Sequence, residues 1–552
     1  MIKKEITSQL RRVIRSQWPD LLATFNDTQI QRTVDYTKDD RYGDLACSLP
    51  LQIARQMGRP PLEVAEEIIE RFSVKFKKQF SAIEVALPGF INFTLSKKWL
   101  GNRVDEIIKI KAGYGRTKAA KPEKIQLEFI SANPTGPVTL GNGRGGFGGD
   151  VLANVLATQG HRVKREYYIN DGGNQVEILA ESVIRRYFQH QGLLIDYPER
   201  CYQGEYINEL SQKLDLGKIK FTDINRIKKK IQKKVLEIMI KDIQRVVQDK
   251  LNIRFDVWFR ESLLYQKKTV KKVLALLEEK GSLYKHEGAT WFKTSAYGDD
   301  KDRVLIKSNK DYTYFVPDIA YHWNKFVERK FDRVINYLGA DHQGYVGRMM
   351  AMKQALELPG QLDFVIVQMV RLISDGQEVK MSKRSGTFVT LEEVVDDVGL
   401  DVARFFFLMR ANETHMDFDL DLAKEKSEKN PVFYVQYAHA RICSIIKKDE
   451  IKRALRKPPK TAHTFDHKAE VDLIRELVKL PDLLGDIATS YEVQRLPFYS
   501  IKLAELFHNF YTQCRVIEDG QINYSRLALI RATQIVLQQS LKLMGVAAPT
   551  AM

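Results

Sequence analysis

From Ala82 to Ser96 (AIEVALPGFINFTLS) apolar and polar residues alternate with a period of two, which predicts two strands turning at Pro88-Gly89. Ahead of them Pro60-Pro61 opens PLEVAEEIIERF, whose apolar residues recur at helical spacing. The first stretch, MIKKEITSQLRRVIRSQWPD, is basic and amphipathic and reads as a helix; it lacks the apolar region and cleavage site of a signal peptide. Residues 1–112 therefore read as a separate α+β module, and the Gly/Lys/Pro-rich stretch Lys111 to Lys124 as a linker. From Ile125 the pattern changes to strand (IQLEFI), helix beginning near Gly143 (GFGGDVLANVLATQG) and strand (HRVKREYYIN), a βαβ unit with a right-handed crossover expected. A helical insertion follows over about 172–256. Its lysine-rich helix could face nucleic acid, but an apolar stripe at Ile231, Val235, Ile238 and Ile243 favours a solvated outer face. Strand–helix alternation resumes at RVLIK, DRVINYLGADH and DFVIVQMVRLIS, and after about Asp419 the pattern is helical throughout. The expected fold is multidomain α/β: a Rossmann-like, doubly wound parallel sheet over 120–418, between the N-terminal α+β domain and an all-α domain over 419–552.

Composition sharpens this picture in three ways. A chain of 552 residues exceeds one core and calls for several domains. The net charge of +17 suggests a polyanionic partner, with a solubilising surface excess as the alternative. Cys47, Cys201, Cys443 and Cys514 lie far apart with no C-x-x-C pair, which argues against a zinc site or disulfide framework and fits a reducing compartment. No apolar run approaches the roughly 20 residues that span a bilayer, so a cytosolic protein is expected.

Two segments carry the candidate chemistry. SANPTGPVTLGNGRGG, Ser131 to Gly146, and VKMSKRSG, Val379 to Gly386, read as two halves of one nucleotide site. A glycine-rich helix start offers free N–H groups and a positive dipole end to phosphate. Gly141 to Gly146 also matches G-x-G-x-x-G literally, with Glu166 about twenty residues on, as in dinucleotide-binding folds. The intervening SANPTGPVTL, stiffened by Pro134 and Pro137, is too long for that tight turn. A third reading gives the glycines to close helix–sheet packing alone. Asp417, Asp419 and Asp421 alternate, but Asp419 reads as a helix cap and not a metal ligand. His463 and His467 lack a third ligand.

The paired motifs resemble the signature of class I aminoacyl-tRNA synthetases, and their flanks resemble the arginyl-tRNA synthetase family over nearly the whole chain, bacterial members most. Where that class has H-x-G-H, this chain reads Thr139-Leu140-Gly141-Asn142, so both histidines are replaced by neutral donors. The resemblance implies an ATP site built from Ala132, Asn133, Pro134, Thr135, Gly136, Pro137, Thr139, Leu140, Gly141 and Asn142. It is completed by Lys380, Met381, Ser382, Lys383 and Arg384, with Lys383 on the β/γ-phosphates. A guanidinium is a planar cation, so a selective pocket needs in-plane carboxylates and an aromatic wall. The segment Asp311 to His322 resembles the family's amino-acid-binding helix, with Tyr314 and Asp318 expected on one face. Phe255 to Ser262 would add Glu261, while Asn133, Gln343 and Glu128 would hold the α-amino and carboxylate groups. Asn430 to Arg441 resembles the first helix of the family's anticodon-binding domain. Tyr434, Tyr437 and Arg441 could stack on bases there, with a core role for Tyr437 equally open. The last residues, to Met552, resemble the family's ending, and the first 110 its tRNA-corner-binding extension.

The expectation is thus a cytoplasmic, monomeric arginine–tRNA ligase using ATP with Mg²⁺, no zinc, and L-arginine and tRNA(Arg) as partners, with no membrane association. A non-catalytic tRNA-binding paralogue and a nicotinamide oxidoreductase are the alternatives.

Overall fold

Apolar residues three and four apart (Ile6, Leu10, Val13, Ile14) bury one face of the first helix, α1 (Ile2–Gln17). The computed structural model describes every residue except 215–220, 222–223, 380–388, 457–462 and 519. Strands β1 (Val34–Tyr36), β2 (Leu45–Cys47), β3 (Phe80–Ala86) and β4 (Phe90–Leu95) form an antiparallel sheet ordered β1-β2-β4-β3. The expected turn at Pro88-Gly89 joins β3 to β4. Gly89 has φ +149°, and a Cβ there would meet Pro61 Cβ at 2.5 Å, so a side chain is excluded. The next helix, α2 (Lys97–Ile110), packs on C-terminal helices.

The central sheet opens with β5 (Lys124–Glu128), followed by α3 (Leu140–Thr158) and β6 (Arg162–Ile169), parallel to β5 as the βαβ pattern requires. The insertion helices α4 (Gly173–His190), α5 (Glu205–Gln212) and α6 (Ile224–Arg245) share a small core of their own, including Leu179, Val183, Ile207, Ile231 and Val235. The chain then returns as β7 (Val257–Arg260) beside β6. RVLIK departs from expectation. Its residues form β10 (Arg303–Ile306), which joins β8 (Leu283–His286) and β9 (Ala289–Phe292) in a separate antiparallel sheet, because β8 and β9 make a local hairpin with an edge to pair. After α7 (Phe315–Trp323), β11 (Arg333–Gly339) and β12 (Gln361–Val367) complete a wholly parallel sheet ordered β12-β11-β5-β6-β7. DFVIVQMVRLIS divides at Gln368: β13 (Val370–Ser374) leaves for another sheet, with β14 (Gln377–Glu378) and β15 (Met416–Asp419).

Helices α8 (Leu391–Val398) and α9 (Leu400–Leu408) precede β15; α10 (Pro431–Ile446), α11 (Lys468–Leu477), α12 (Leu480–Ser490), α13 (Arg495–Gln513) and α14 (Tyr524–Met544) follow it. A two-residue hairpin, β16 (Ile517–Glu518) and β17 (Gln521–Ile522), interrupts the helical pattern. Buried polar contacts join the modules. Lys3 pairs with Asp35 of its own module and Asp486 of α12, and buried Arg404 pairs with Asp150 while donating to the Met544 carbonyl. Among the described residues no helix is long and apolar enough to cross a membrane.

Candidate active site

β5 stops at Glu128 because Ile130 and Ser131 adopt positive φ (65° and 37°), turning the chain across the carboxyl end of the sheet, where open α/β sheets bind ligands. The crossing segment is pinned at three points. Tyr167 donates to the Ala132 carbonyl at 2.9 Å, Asn133 to Gln175 Oε1 at 2.9 Å, and Tyr206 of the insertion to the Thr135 carbonyl at 2.8 Å. Pro134 and Thr135 are buried, and Gly136 lies against the Tyr206 ring. Thr139 ends the crossing as the N-cap of α3, which therefore starts at Leu140, three residues before the expected Gly143. Its N–H and its hydroxyl both donate to Asn142 Oδ1, each at 3.0 Å. That fixes the amide, with its NH₂ the end left to donate.

The glycines divide into two groups. A Cβ at Gly143 would meet Leu391 and Phe407 at 2.9 Å, at Gly146 Ile130 at 3.1 Å, and at Gly149 Phe129 at 2.4 Å. These let α3 lie close on its neighbours, as the packing reading held. Gly141 is exposed, and nothing approaches its Cβ position nearer than Thr139 Oγ1 at 4.0 Å. The dinucleotide reading fails at Glu166. That side chain is fully buried on β6, held by Arg329 and the Tyr321 hydroxyl, and no ribose could reach it.

Lys380, Met381, Ser382, Lys383 and Arg384 lie outside the described residues. The chain on either side of them is placed. Val379 donates to Leu372 of β13 at 2.9 Å. Beyond, Thr390 forms an antiparallel bridge with Thr139, and Leu391 donates to the Val138 carbonyl at 2.9 Å. From Thr390 onward the chain therefore runs against the first motif.

Three carboxylates converge next to this crossing: Glu128 at the end of β5, Glu261 just after β7 and Asp318 in α7. Burial, with Glu128 and Glu261 close by, raises the Asp318 pKa to about 7 against the opposing Tyr345 hydroxyl bond. Burial raises Glu261 as well, and Tyr168 donates to it at 2.9 Å. Among the described residues, only Glu128 of the three pairs with a cation, the buried Lys325, at 2.6 Å, and it also accepts from Ser131. Lys325 donates onward to Asn336 Oδ1, whose amide donates to His322 Nε2; the imidazole is thereby left donating from Nδ1 to the Asp318 carbonyl. Burial holds His322 well below its usual range, so it stays neutral. The expected shared face of Tyr314 and Asp318 is not formed. Tyr314 is the N-cap of α7 and 65% exposed, because the helix begins one residue later, and Asp318 points inward. Gln343 follows β11 as expected and is exposed, as is Asn133. A cluster this acidic and this buried is short of positive charge, and a guanidinium could supply it.

Residues 103–425 match the family pattern described as tRNA synthetases class I (R), catalytic domain; residues 1–95 match the arginyl tRNA synthetase N terminal domain, and residues 435–552 the DALR anticodon binding domain. The chain belongs to the arginyl-tRNA synthetases. These are class I aminoacyl-tRNA synthetases and ligases. It is 42% identical over 540 residues to the arginine–tRNA ligase of Bacillus subtilis, covering 95% of each chain, and 40% over 525 residues to that of Dehalococcoides mccartyi, covering 94% of each. The fold matches that of Thermus thermophilus arginyl-tRNA synthetase over the whole of both chains, with TM-score 0.75 at 21% identity.

In this arginyl-tRNA synthetase Tyr437 is not core. It is 46% exposed on α10, with the Arg441 guanidinium 5.3 Å from its ring and 4.4 Å from that of Tyr511. Tyr434, half-buried, packs on His508, and Met552 is 56% exposed. The three C-terminal acids have separate partners: Asp417 pairs with Arg371, Asp419 caps the short helix after it by accepting from Leu422, and Asp421 accepts from the Asp375 N–H. His463 meets Asp105 while His467 caps α11. Sequence reading missed Tyr168, Tyr345 and Lys325. Lys325 sits seven residues after Asp318, two helical turns on, within a π-type turn over Asn324–Glu328 that marks functional helices. The tyrosines come from separate elements and leave no spacing signal.

Proposed function

We propose that this chain joins L-arginine to tRNA(Arg) in two steps. The acid cleft receives the guanidinium between Glu261 and Asp318, with Tyr265 and Tyr312, stacked 6.4 Å apart, as its aromatic wall. Glu128, Asn133 and Gln343 hold the α-amino and carboxylate end. The arginine carboxylate attacks the α-phosphate of ATP, giving arginyl-adenylate and pyrophosphate. Thr139 and Asn142 donate to the charge that builds there. Lys383, with Lys380 and Ser382, takes the β/γ-phosphates, and Mg²⁺ accompanies them. The terminal ribose hydroxyl of tRNA(Arg) then accepts the arginyl group.

Asp318 carries this reading: a buried carboxylate with two like charges beside it and, among the described residues, no ion pair of its own is suited to bind a cation. At the far end, Tyr437, Arg441 and Tyr511 form an exposed aromatic–cation ladder suited to stacking on anticodon bases, with Tyr434 and Met552 at its margin. Domain limits of 1–112, 120–418 and 419–552 follow from the same reading. So does a monomer of the cytoplasm, in keeping with four free, buried cysteines.

One assay tests it: ATP-dependent charging of total tRNA with each labelled amino acid in turn. Arginine alone should be incorporated. Binding of tRNA without charging would instead favour the non-catalytic paralogue.

A further inference from the structure

Among the described residues, Arg144 is a buried cation without a counter-charge. It lies in the opening of α3, two residues beyond Asn142, and is 1% exposed. Its Nη1 donates to the Gln368 carbonyl at 3.2 Å and its Nη2 to the Ala411 carbonyl, while Nε has no partner. Among the described residues no carboxylate pairs with it. The contrast with Arg404 is direct, since that buried guanidinium has Asp150 at 2.9 Å. Burial alone pulls the Arg144 pKa down to about 10, so it is still charged at neutral pH. A cation in the first turns of a helix also opposes the helix dipole. Two unfavourable terms therefore meet at one residue.

The geometry shows where the charge sits. Residues i and i+2 of a helix point in different directions, so while Asn142 faces the open end, Arg144 reaches back to the β12–β13 crossing at Gln368 and to Ala411 beyond α9. Those two crossings are themselves joined, Gln368 donating to the Asn412 carbonyl at 2.9 Å. Arg144 thus ties the α3 opening to the junction from which β13 departs. Its backbone lies about 3 Å along the helix axis from that of Asn142, while its guanidinium charge sits at the junction. We infer that Arg144 is a positioning residue for the nucleotide half of the site, its fixed charge and its two carbonyl bonds holding the α3 opening ready for a polyphosphate. This rests on the reading of Thr139 and Asn142 as triphosphate contacts.

The test uses the full-length enzyme, varying ATP at saturating arginine and tRNA and then arginine at saturating ATP and tRNA, and counts active sites by burst titration. Arg144→Gln keeps an NH₂ donor and loses the charge; Arg144→Lys keeps the charge; Arg144→Met loses both. The Gln and Met variants should raise the ATP KM on the order of tenfold, with the arginine KM within about twofold of wild type, and Lys should recover most of the loss. If Met fails to fold, the Gln–Lys pair decides. Fewer active sites with both KM values unchanged would reduce Arg144 to scaffold and overturn the inference, as would equal ATP KM values for Gln and Lys. Asn142→Ala separates the two readings. An unchanged ATP KM in that variant removes the underlying assignment, whereas a raised one beside a normal Arg144→Gln removes only this inference.

Discussion

Thr139 and Thr390 face each other in an antiparallel bridge, and each is the N-cap of its own helix, Thr139 of α3 and Thr390 of α8. Two helix starts from distant parts of the chain are thereby held side by side, with Leu391 donating to Val138 alongside. Thr390 and Leu391, downstream of the second motif, are thus anchored on the cap of the first.

The cap makes one substitution unusually clean. Asn142→Asp preserves the oxygen that accepts from both Thr139 donors, so thermal stability should change little. It replaces an outward-facing NH₂ by a carboxylate oxygen that repels phosphate. Loss of one such donor is worth about 10²–10³ in kcat, and kcat/KM for ATP should fall at least that far. Retained activity in steady-state charging would remove Asn142 from the chemistry.

Arginine binding should depend on pH through Asp318. With a pKa of about 7 in the free protein, the carboxyl is largely protonated at pH 6 and must lose its proton to meet a guanidinium. Glu128, Glu261, Lys325 and the Tyr345 hydroxyl face it, and neutral His322 does not titrate in this window. Affinity should tighten by about tenfold between pH 6 and pH 8, with proton release visible in calorimetry across buffers of different ionisation enthalpy. The sign for folding is opposite. The native chain holds this proton more tightly than the unfolded one, so Asp318 subtracts stability as pH climbs from about 4 towards 7. A flat arginine affinity across that range would contradict the assignment.

Lys325→Met should strand Glu128 in the sheet beside Asp318. Removing one partner of a buried ion pair costs about 3–5 kcal/mol, measurable as a shift in urea midpoint. Lys325→Met/Glu128→Leu should recover part of that stability without recovering arginine binding.

The α3 glycines give a paired expectation. Gly149→Ala drives a Cβ into Phe129 at 2.4 Å and should cost about 1–3 kcal/mol by overpacking. Gly141→Ala meets nothing closer than 4.0 Å and should gain up to about 1 kcal/mol of helix stability. With Gly141 in the ATP site, that stabler variant should show a raised ATP KM. Equal KM values in denaturant-matched assays would make Gly141 merely tolerated.

Much of this molecule could be read from the chain because it is encoded over short distances. The β3–β4 hairpin, the separate elements of the β5–α3–β6 unit, the insertion stripe through Ile231 and Val235 and the Asp419 cap all depend on neighbours a few residues apart, where periodicity and capping act. The family was legible for the same reason, in contiguous motifs. Tertiary structure decided what lies across gaps. RVLIK had the composition of a central strand but joined a local hairpin, and Glu166 had the spacing of a ribose ligand but was taken by Arg329. The raised pKa of Asp318 comes first from its burial and then from carboxylates on β5 and beyond β7 that no spacing rule connects. Burial and proximity in three dimensions set pKa values and partners, whereas a sequence pattern specifies which face a residue occupies and not what waits on the other side.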